Sequence, residues 1–246
     1  MKVLITGGGG PVGAALCEKL ISLEHDVVVY DLKHGSTPAG VLFVEGDVRD
    51  FDHLAEVASD CEAGIHLAVL AGETRQEDMF SVNVSGAYGF LFAASKARFG
   101  RSIVVGSAPV HLAASDMDRQ FPLLTSGGDD HLYDLTKALQ EAMAHDFHAH
   151  GLNVLCLRLG HVVLGEEETD LGRTISLADE RYCRGGWLAL EDAVEACAAA
   201  LTVAPAAKEF EILGIVGSRH GRDRFDVSGA EERLGIKLRY DFAAFE

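Results

Sequence analysis

Tyr133 and Lys137 stand four residues apart in Tyr133-Asp-Leu-Thr-Lys137, a spacing that puts a phenol and an ammonium on one face of a helix. A free tyrosine ionises at about pH 10 and is a poor base near neutrality. A cation beside it stabilises the phenolate and lowers that value, which makes the phenol usable for proton exchange. The same spacing is frequent on solvated helices, so its meaning depends on what surrounds it. Ser107 follows the apolar run Ile103-Val-Val-Gly106. At the carboxyl edge of a sheet its hydroxyl can donate to a substrate oxygen while the tyrosine moves the proton, whereas a serine there without the tyrosine reads as a turn cap.

A second group of residues opens the chain. Lys2-Val-Leu-Ile-Thr6 is a short β-branched strand that breaks into Gly7-Gly-Gly-Gly10-Pro11-Val12-Gly13 and then into the helical pattern Ala14–Leu23. Strand, glycine turn and helix in this order point to a dinucleotide-binding βαβ unit, in which glycines let the backbone approach a pyrophosphate. The charge then sits on helix-terminal N–H groups, and Pro11 suits the first helical turn. Gly8, Gly10 and Gly13 fit the general dinucleotide spacing, while Gly7, Gly10 and Gly13 fit a second one. Asp31 ends the next strand, 18 residues past Gly13. A carboxylate there accepts adenosine ribose hydroxyls and repels a 2′-phosphate, favouring NAD over NADP, with Lys33 softening that preference.

The elements that must position these residues follow from periodicity. Strands are expected at Lys2–Thr6, Asp26–Tyr30, Val41–Val44, Ala63–Ala68, Ile103–Gly106, Asn153–Arg158 and Phe210–Leu213. Helices are expected at Phe51–Ala58, Met79–Ala97, His131–His150, Glu191–Leu201 and Ser228–Leu234. The stretches 111–130 and 165–186 read as loops. Alternation from the start gives an α/β doubly wound parallel sheet. No repeat or linker divides the 246 residues, so we expect one domain over 1–246, with substrate-binding elements mainly in 160–246.

Composition narrows the partners. A net charge of −17 disfavours nucleic acid, whose phosphates it would repel. No apolar run is long enough to span a bilayer and no signal peptide precedes the first strand, so a cytoplasmic protein is expected. Cys17, Cys61, Cys156 and Cys197 lie in apolar patterns and read as buried reduced thiols; no pair, Cys183 included, has zinc or redox spacing. Glu141, His145 and His148 share a helix face, but the helix C-terminus itself favours histidine and no closed shell is evident, so no metal is expected.

Taken together, the chain resembles the short-chain dehydrogenase/reductase superfamily, in its extended branch of NAD-dependent epimerase/dehydratase-like proteins. The resemblance is carried by Thr6-Gly7-x-x-Gly10-x-x-Gly13, Asp31, Gly46-Asp47-Val48, His66-Leu67-Ala68, Asn83-Val84-x-Gly86, Ser107, Tyr133, Lys137, Leu157-Arg158-Leu159-Gly160 and Trp187–Ala193 around Asp192. It implies a Rossmann-type fold and selects Gly7 over Gly8 as the first functional glycine. Gly7, Gly10, Pro11, Val12, Gly13, Asp31, Asp47, Val48, Leu67, Ala68, Tyr133 and Lys137 are then expected to hold NAD. Ser107, Tyr133 and Lys137 would form the catalytic triad, with Asn83 in support.

The implied activity is hydride transfer to or from a carbinol carbon of a small, sugar-like polar substrate. An epimerase using the same triad is the alternative, and a non-catalytic NAD-binding regulator a further one that the intact triad opposes. Ala108-Pro109 stands where sugar-nucleotide dehydratases carry an acidic pair, so dehydration is set aside. Phe225–Gly235 resembles the tail of uronate-dehydrogenase-like members, although their Ser-Asn-His stretch after the serine is absent. His111 and His161 replace the more frequent Tyr and Asn and, with Arg173, are the candidate substrate contacts; Arg158, Arg181 and Arg184 are further arginines that could grip an anion. The resemblance also implies a homodimer through the helices at Met79–Ala97 and His131–His150.

Overall fold

Seven parallel strands form the centre of the protein, in the order β11-β6-β5-β4-β1-β2-β3. The computed structural model describes residues 1–72, 74–108, 131–164, 167–170, 173–176, 186–204 and 210–243, with 167–170 and 173–176 given by their backbone alone. The sheet strands are β1 Lys2–Thr6, β2 Asp26–Asp31, β3 Leu42–Glu45, β4 Ala63–His66, β5 Arg101–Ser107, β6 Val154–Leu159 and β11 Glu211–Ile215. From β1 the chain runs outward to β2 and β3. It then returns to the other side of β1 for β4, β5, β6 and β11, so the strand order reverses between β1 and β4. A crevice opens above the carboxyl ends of the strands at such a reversal, and it is where ligands bind in open α/β sheets.

Side-chain alternation along the strands feeds two cores, because successive residues of a strand face opposite sides. On one side Val3, Ile5, Val27, Val29, Ile65, Ile103 and Leu155 pack against α1 (Pro11–Ser22) and α6 (Leu190–Thr202). On the other, Leu4, Val28, Tyr30, Val104 and Cys156 pack against α2 (Phe51–Ala58), α4 (Gly86–Ala97) and α5 (His131–Ala149). The doubly wound sheet expected from the sequence is therefore present, with every anticipated sheet strand in place to within a few residues. Cys17, Cys61, Cys156 and Cys197 are buried free thiols. No helix among the described residues is long and apolar enough to cross a membrane.

Three departures matter for the site. The fourth strand stops at His66, and Leu67 and Ala68 leave the sheet to pass beside Gly7. The helix expected at Met79–Ala97 starts earlier, as α3 (Gln76–Phe80), and passes through a π-helical turn at Ser81–Ser85 before α4. The stretch read as a loop contains an antiparallel hairpin, β8 (Glu167–Asp170) with β9 (Arg173–Ser176). A small parallel pair, β7 (His161–Val163) with β10 (Trp187–Ala189), and a short helix α7 (Arg219–Arg224) were likewise not anticipated. Each of these is too short, or too polar, to set up a readable period.

The C-terminal segment after α8 (Ala230–Leu234) is tied down by one carboxylate. Asp192, in the first turn of α6 and 2% exposed, accepts the backbone N–H of Arg239 on both oxygens at 3.0 Å and that of Tyr240 at 3.1 Å. Replacing Asp192 with Ala leaves those donors without an acceptor and is expected to cost about 2–4 kcal/mol in urea unfolding. Limited proteolysis of the same variant should cut first within 238–243, and unchanged stability would contradict this anchoring role.

Candidate active site

The glycine turn lies at the strand reversal, and its glycines serve different purposes. Gly7 adopts φ +77°, and a Cβ there would fall 2.5 Å from the Ala68 nitrogen. At Gly13 a Cβ would fall 2.6 Å from the Gly7 oxygen, and at Gly8 2.7 Å from the Val29 side chain. These three are required by the protein's own packing, so Gly8 is not the incidental neighbour expected from the sequence: Val29 occupies the space its side chain would need. Gly10 differs. It caps α1, and a Cβ would meet nothing nearer than the Gly7 oxygen at 3.7 Å. Its bare backbone faces open space at a helix N-terminus, a cradle that a side chain would fill and that suits a pyrophosphate.

Around that turn, Pro11 takes the first helical position, followed by Val12 and the buried Gly13. Asp31 ends β2, where its carboxylate accepts the Gly9 N–H at 3.0 Å and the Lys33 N–H at 3.3 Å. It therefore braces the glycine turn. Asp47 bonds through its side chain to Arg49, whose guanidinium holds the carboxyl below the usual carboxylate range. Val48 is buried against Gly86 of α4. Leu67 continues from β4 with its N–H on the Thr6 carbonyl at 2.9 Å, which brings Ala68 against Gly7. The expected cofactor residues of the first four strands thus sit at or just after the carboxyl ends of β1, β2, β3 and β4.

The Tyr133–Lys137 helix packs onto the next strand. Lys137 is 5% exposed, and its ammonium donates to the Val105 carbonyl of β5 at 2.8 Å and to Gln140 Oε1 at 3.3 Å. The same ammonium stands 5.9 Å from the centre of the Tyr133 ring. In a strand–helix–strand crossover the helix runs antiparallel to the strands, so Tyr133 lies one turn, about 6 Å, above Lys137 toward the carboxyl edge. Ser107 lies two strand residues, about 6.6 Å, above Val105. Tyr133 and Ser107 therefore both lie on the carboxyl-edge side of the Lys137–Val105 contact, on neighbouring elements. Burial pushes the Lys137 ammonium down to about 8.

Asn83 lies in the π-helical turn and is fully buried. Its Oδ1 accepts the Leu70 N–H at 2.7 Å, and its Nδ2 donates to the Leu70 carbonyl at 2.9 Å and to Thr136 Oγ1 at 3.0 Å. Thr136 Oγ1 in turn donates to the Tyr133 carbonyl at 2.8 Å. Asn83 thus ties the segment after β4 to the turn of α5 that carries the tyrosine. Its side chain spends its hydrogen bonds on the scaffold.

The expected substrate contacts fare unevenly. His161 opens β7, with its N–H on the Gly186 carbonyl at 2.7 Å, beyond the carboxyl end of β6. Arg173 opens β9, described by its backbone alone. His111, Arg181 and Arg184 lie outside the described residues. Arg158 is not a substrate grip: its guanidinium forms a two-point ion pair with Glu141 at 2.9 and 2.8 Å. That pair also removes Glu141 from the stripe with His145 and His148, whose rings pack on Phe210. The sequence reading missed Gln140, Thr136 and the Glu141–Arg158 pair. Their signal was a polar run along the buried face of an otherwise amphipathic helix.

His66 ends β4 and is buried. Its ring is 1% exposed, stacks on Phe90 and shares a 2.8 Å hydrogen bond with Thr6 Oγ1, while Nε2 meets no partner among the described residues. Burial, with Lys137 nearby, pushes it down to about 3, so it is neutral at physiological pH.

With this geometry in hand, comparison with known proteins is informative. The model of the NAD-dependent epimerase/dehydratase family matches residues 3–213, and the chain belongs to that family. A 3-beta-hydroxysteroid dehydrogenase of Mycolicibacterium neoaurum is 30% identical over 153 residues, covering 57% of this chain and 41% of that protein. A UDP-glucose 4-epimerase of Klebsiella pneumoniae is 32% identical over 128 residues, covering 45% of this chain and 92% of its own. The match thus spans less than half of the steroid dehydrogenase. Among solved structures, a mutated uronate dehydrogenase superposes with TM-score 0.75 at 22% identity, covering 98% of this chain and 82% of its own. A UDP-glucose-4-epimerase from Stenotrophomonas maltophila with bound NAD superposes with TM-score 0.74 at 21% identity, covering 98% and 94%. These likenesses define the fold: a Rossmann-type sheet shared by NAD-dependent epimerases and dehydrogenases.

The contrast between Gly7 and Gly10 is open to a direct test. Gly7→Ala should lower stability by at least about 2 kcal/mol, since it meets both a left-handed φ and a backbone clash. Gly10→Ala should change stability by no more than about 1 kcal/mol, yet weaken NADH binding in fluorescence titration roughly tenfold or more, about 1.4 kcal/mol. Equal effects of the two substitutions on stability would contradict the assignment.

Proposed function

We propose that this chain is an NAD-dependent oxidoreductase that moves a hydride to or from a carbinol carbon of a small, sugar-like or polar substrate. The observation that carries this reading is the Lys137 ammonium, buried 5.9 Å from the Tyr133 ring centre on the helix packed against the strand that ends in Ser107, in a protein whose glycine turn leaves an open cradle at Gly10. Bound in that cradle, a nicotinamide dinucleotide would supply the hydride acceptor or donor. Ser107 would donate a hydrogen bond to the substrate oxygen. Tyr133 would take the hydroxyl proton during oxidation and return it during reduction, with Lys137 stabilising the phenolate. Asn83 would hold the tyrosine's turn against the segment after β4. His111, His161 and Arg173 are the residues we assign to substrate recognition.

The carboxylate of Asp31 at the end of β2 favours NAD over NADP, since it would repel a 2′-phosphate. An epimerase using the same residues is the second reading, favoured by the likeness to the Klebsiella UDP-glucose 4-epimerase over most of that protein's length. It would carry NAD through purification and interconvert a sugar epimer pair without net NADH. Buried thiols at Cys17, Cys61, Cys156 and Cys197 suit a reducing compartment such as the cytoplasm.

The test is NADH formation at 340 nm with NAD and a panel of uronic acids, UDP-sugars and hydroxysteroids. On the substrate so found, Tyr133→Phe should lower kcat about 100-fold or more while NADH still binds. Full activity of Tyr133→Phe would contradict the mechanism.

We also infer a homodimer through α4 and α5. Tyr88 is 41% exposed and clusters with Phe51, Phe92 and Phe147 on one surface of α2, α4 and α5, an aromatic patch of the kind enriched at interfaces. Light scattering should give a dimer for the native chain and a monomer for Tyr88→Glu; a native monomer at micromolar concentration would contradict it.

A further inference from the structure

Gln140 has no part in the proposed proton or hydride transfer, yet it is completely buried and bonded at both ends of its amide. Its Nε2 donates to the Asn83 carbonyl at 2.8 Å, and its Oε1 accepts from the Lys137 ammonium at 3.3 Å. The orientation is fixed by chemistry: a carbonyl only accepts and an ammonium only donates, so the amide has one way to face. We propose that Gln140 is a positioning residue for Lys137, an amide strut that holds the ammonium between β5 and the π-helical turn and so sets its place beneath Tyr133. This rests on the reading of Lys137 as the electrostatic partner of Tyr133.

Three observations support the strut. The first is helical geometry. Lys137 and Gln140 are three residues apart on α5, so both side chains leave the same face toward Asn83. The second is the π-helical turn at Ser81–Ser85. Such turns break the regular carbonyl-to-amide ladder and let an outside group bond the backbone, here the Gln140 amide at Asn83. The third is the charge inventory around the ammonium. From α5, Glu141 is held by Arg158 of β6, and Tyr133 lies one turn above. From β4, His66 is neutral. From β6, Cys156 is neutral as well, its thiol pushed well above the usual range by burial.

The acceptors that directly hold the buried ammonium among the described residues are therefore two dipoles, the Val105 carbonyl and the Gln140 amide. One is backbone and invariant to mutation; the other is a side chain that can be changed. Two of the three ammonium protons are used this way, leaving the third available to a ligand. A dipole in this place lets the ammonium form without the charge-locking that a carboxylate would impose.

The experiment follows the 13Cε resonances of lysine by NMR through a pH titration of the cofactor-free protein, with Lys137→Arg assigning the signal. The native chain should titrate at Lys137 near pH 8. Gln140→Leu, which removes the acceptor, should move the midpoint down by about 1 pH unit, and Gln140→Glu should move it up by a similar amount. The native protein supplies a readout independent of variant folding: the Gln140 side-chain amide resonances should shift with the Lys137 midpoint. Identical Lys137 midpoints in folded variants, or Gln140 resonances indifferent to that titration, would overturn the proposal. NADH binding is scored separately. Its absence from the native protein would refute the cofactor reading while leaving the midpoints to decide the strut.

Discussion

The burial of one ammonium organises the centre of this protein. Lys137 has nearly lost contact with water, and a charge in that position is costly unless hydrogen bonds meet it. Its two bonds reach in different directions, to the β5 backbone and to an amide anchored on the π-helical turn. Three elements must therefore sit at fixed distances for the lysine to be tolerated at all. The same contacts hold Tyr133 one helical turn from Lys137, toward the carboxyl edge where Ser107 ends β5. The proposed catalytic geometry and the solution to a burial problem are one arrangement, and disturbing either disturbs the other.

The glycine turn answers a different constraint. Gly7, Gly8 and Gly13 are demanded by contacts within the protein, where a side chain would strike Ala68, Val29 or the turn's own backbone. Gly10 is not, and the room above it belongs to whatever binds there. Asp31 connects the turn to the end of β2 by accepting the Gly9 N–H. The carboxylate thus fixes the shape of the turn. The glycine turn lies where the strand order reverses, and the helix of Tyr133 and Lys137 packs on β5, two strands along from β1.

Much of this was readable from residue types and spacing. The strands announce themselves by β-branched runs, the turn by its glycines and the helix by Tyr133 and Lys137 in phase. What was not readable depends on partners far away in the chain. Nothing local marks Ser81–Ser85 as a π turn, because hydrogen-bond register leaves no trace in a pattern of side chains. Gln140 and Asn83 are 57 residues apart. Arg158 looks like an anion grip until Glu141, on another element, is found to occupy it. The paired strands Glu167–Asp170 and Arg173–Ser176 carry a single apolar residue, Ile175, and so have no alternation to betray them. Polar residues on a buried helix face, here Thr136, Gln140 and Glu141, are the signal that deserved more weight than the histidines beside them.

The most direct test of the buried ammonium is the pH dependence of unfolding free energy, native chain against Lys137→Met. Burial lowers the folded-state value to about 8 from an ordinary value of 10.5, so the folded protein gives up this proton before the unfolded chain does. Below about pH 8 both states hold the proton and the cost of burying the charge is present in full; above it the cost is progressively relieved. The native chain should therefore gain about 2.5 kcal/mol on Lys137→Met between pH 7 and pH 10. A difference between the two that stays flat across that range would mean the ammonium is solvated, and would contradict the account.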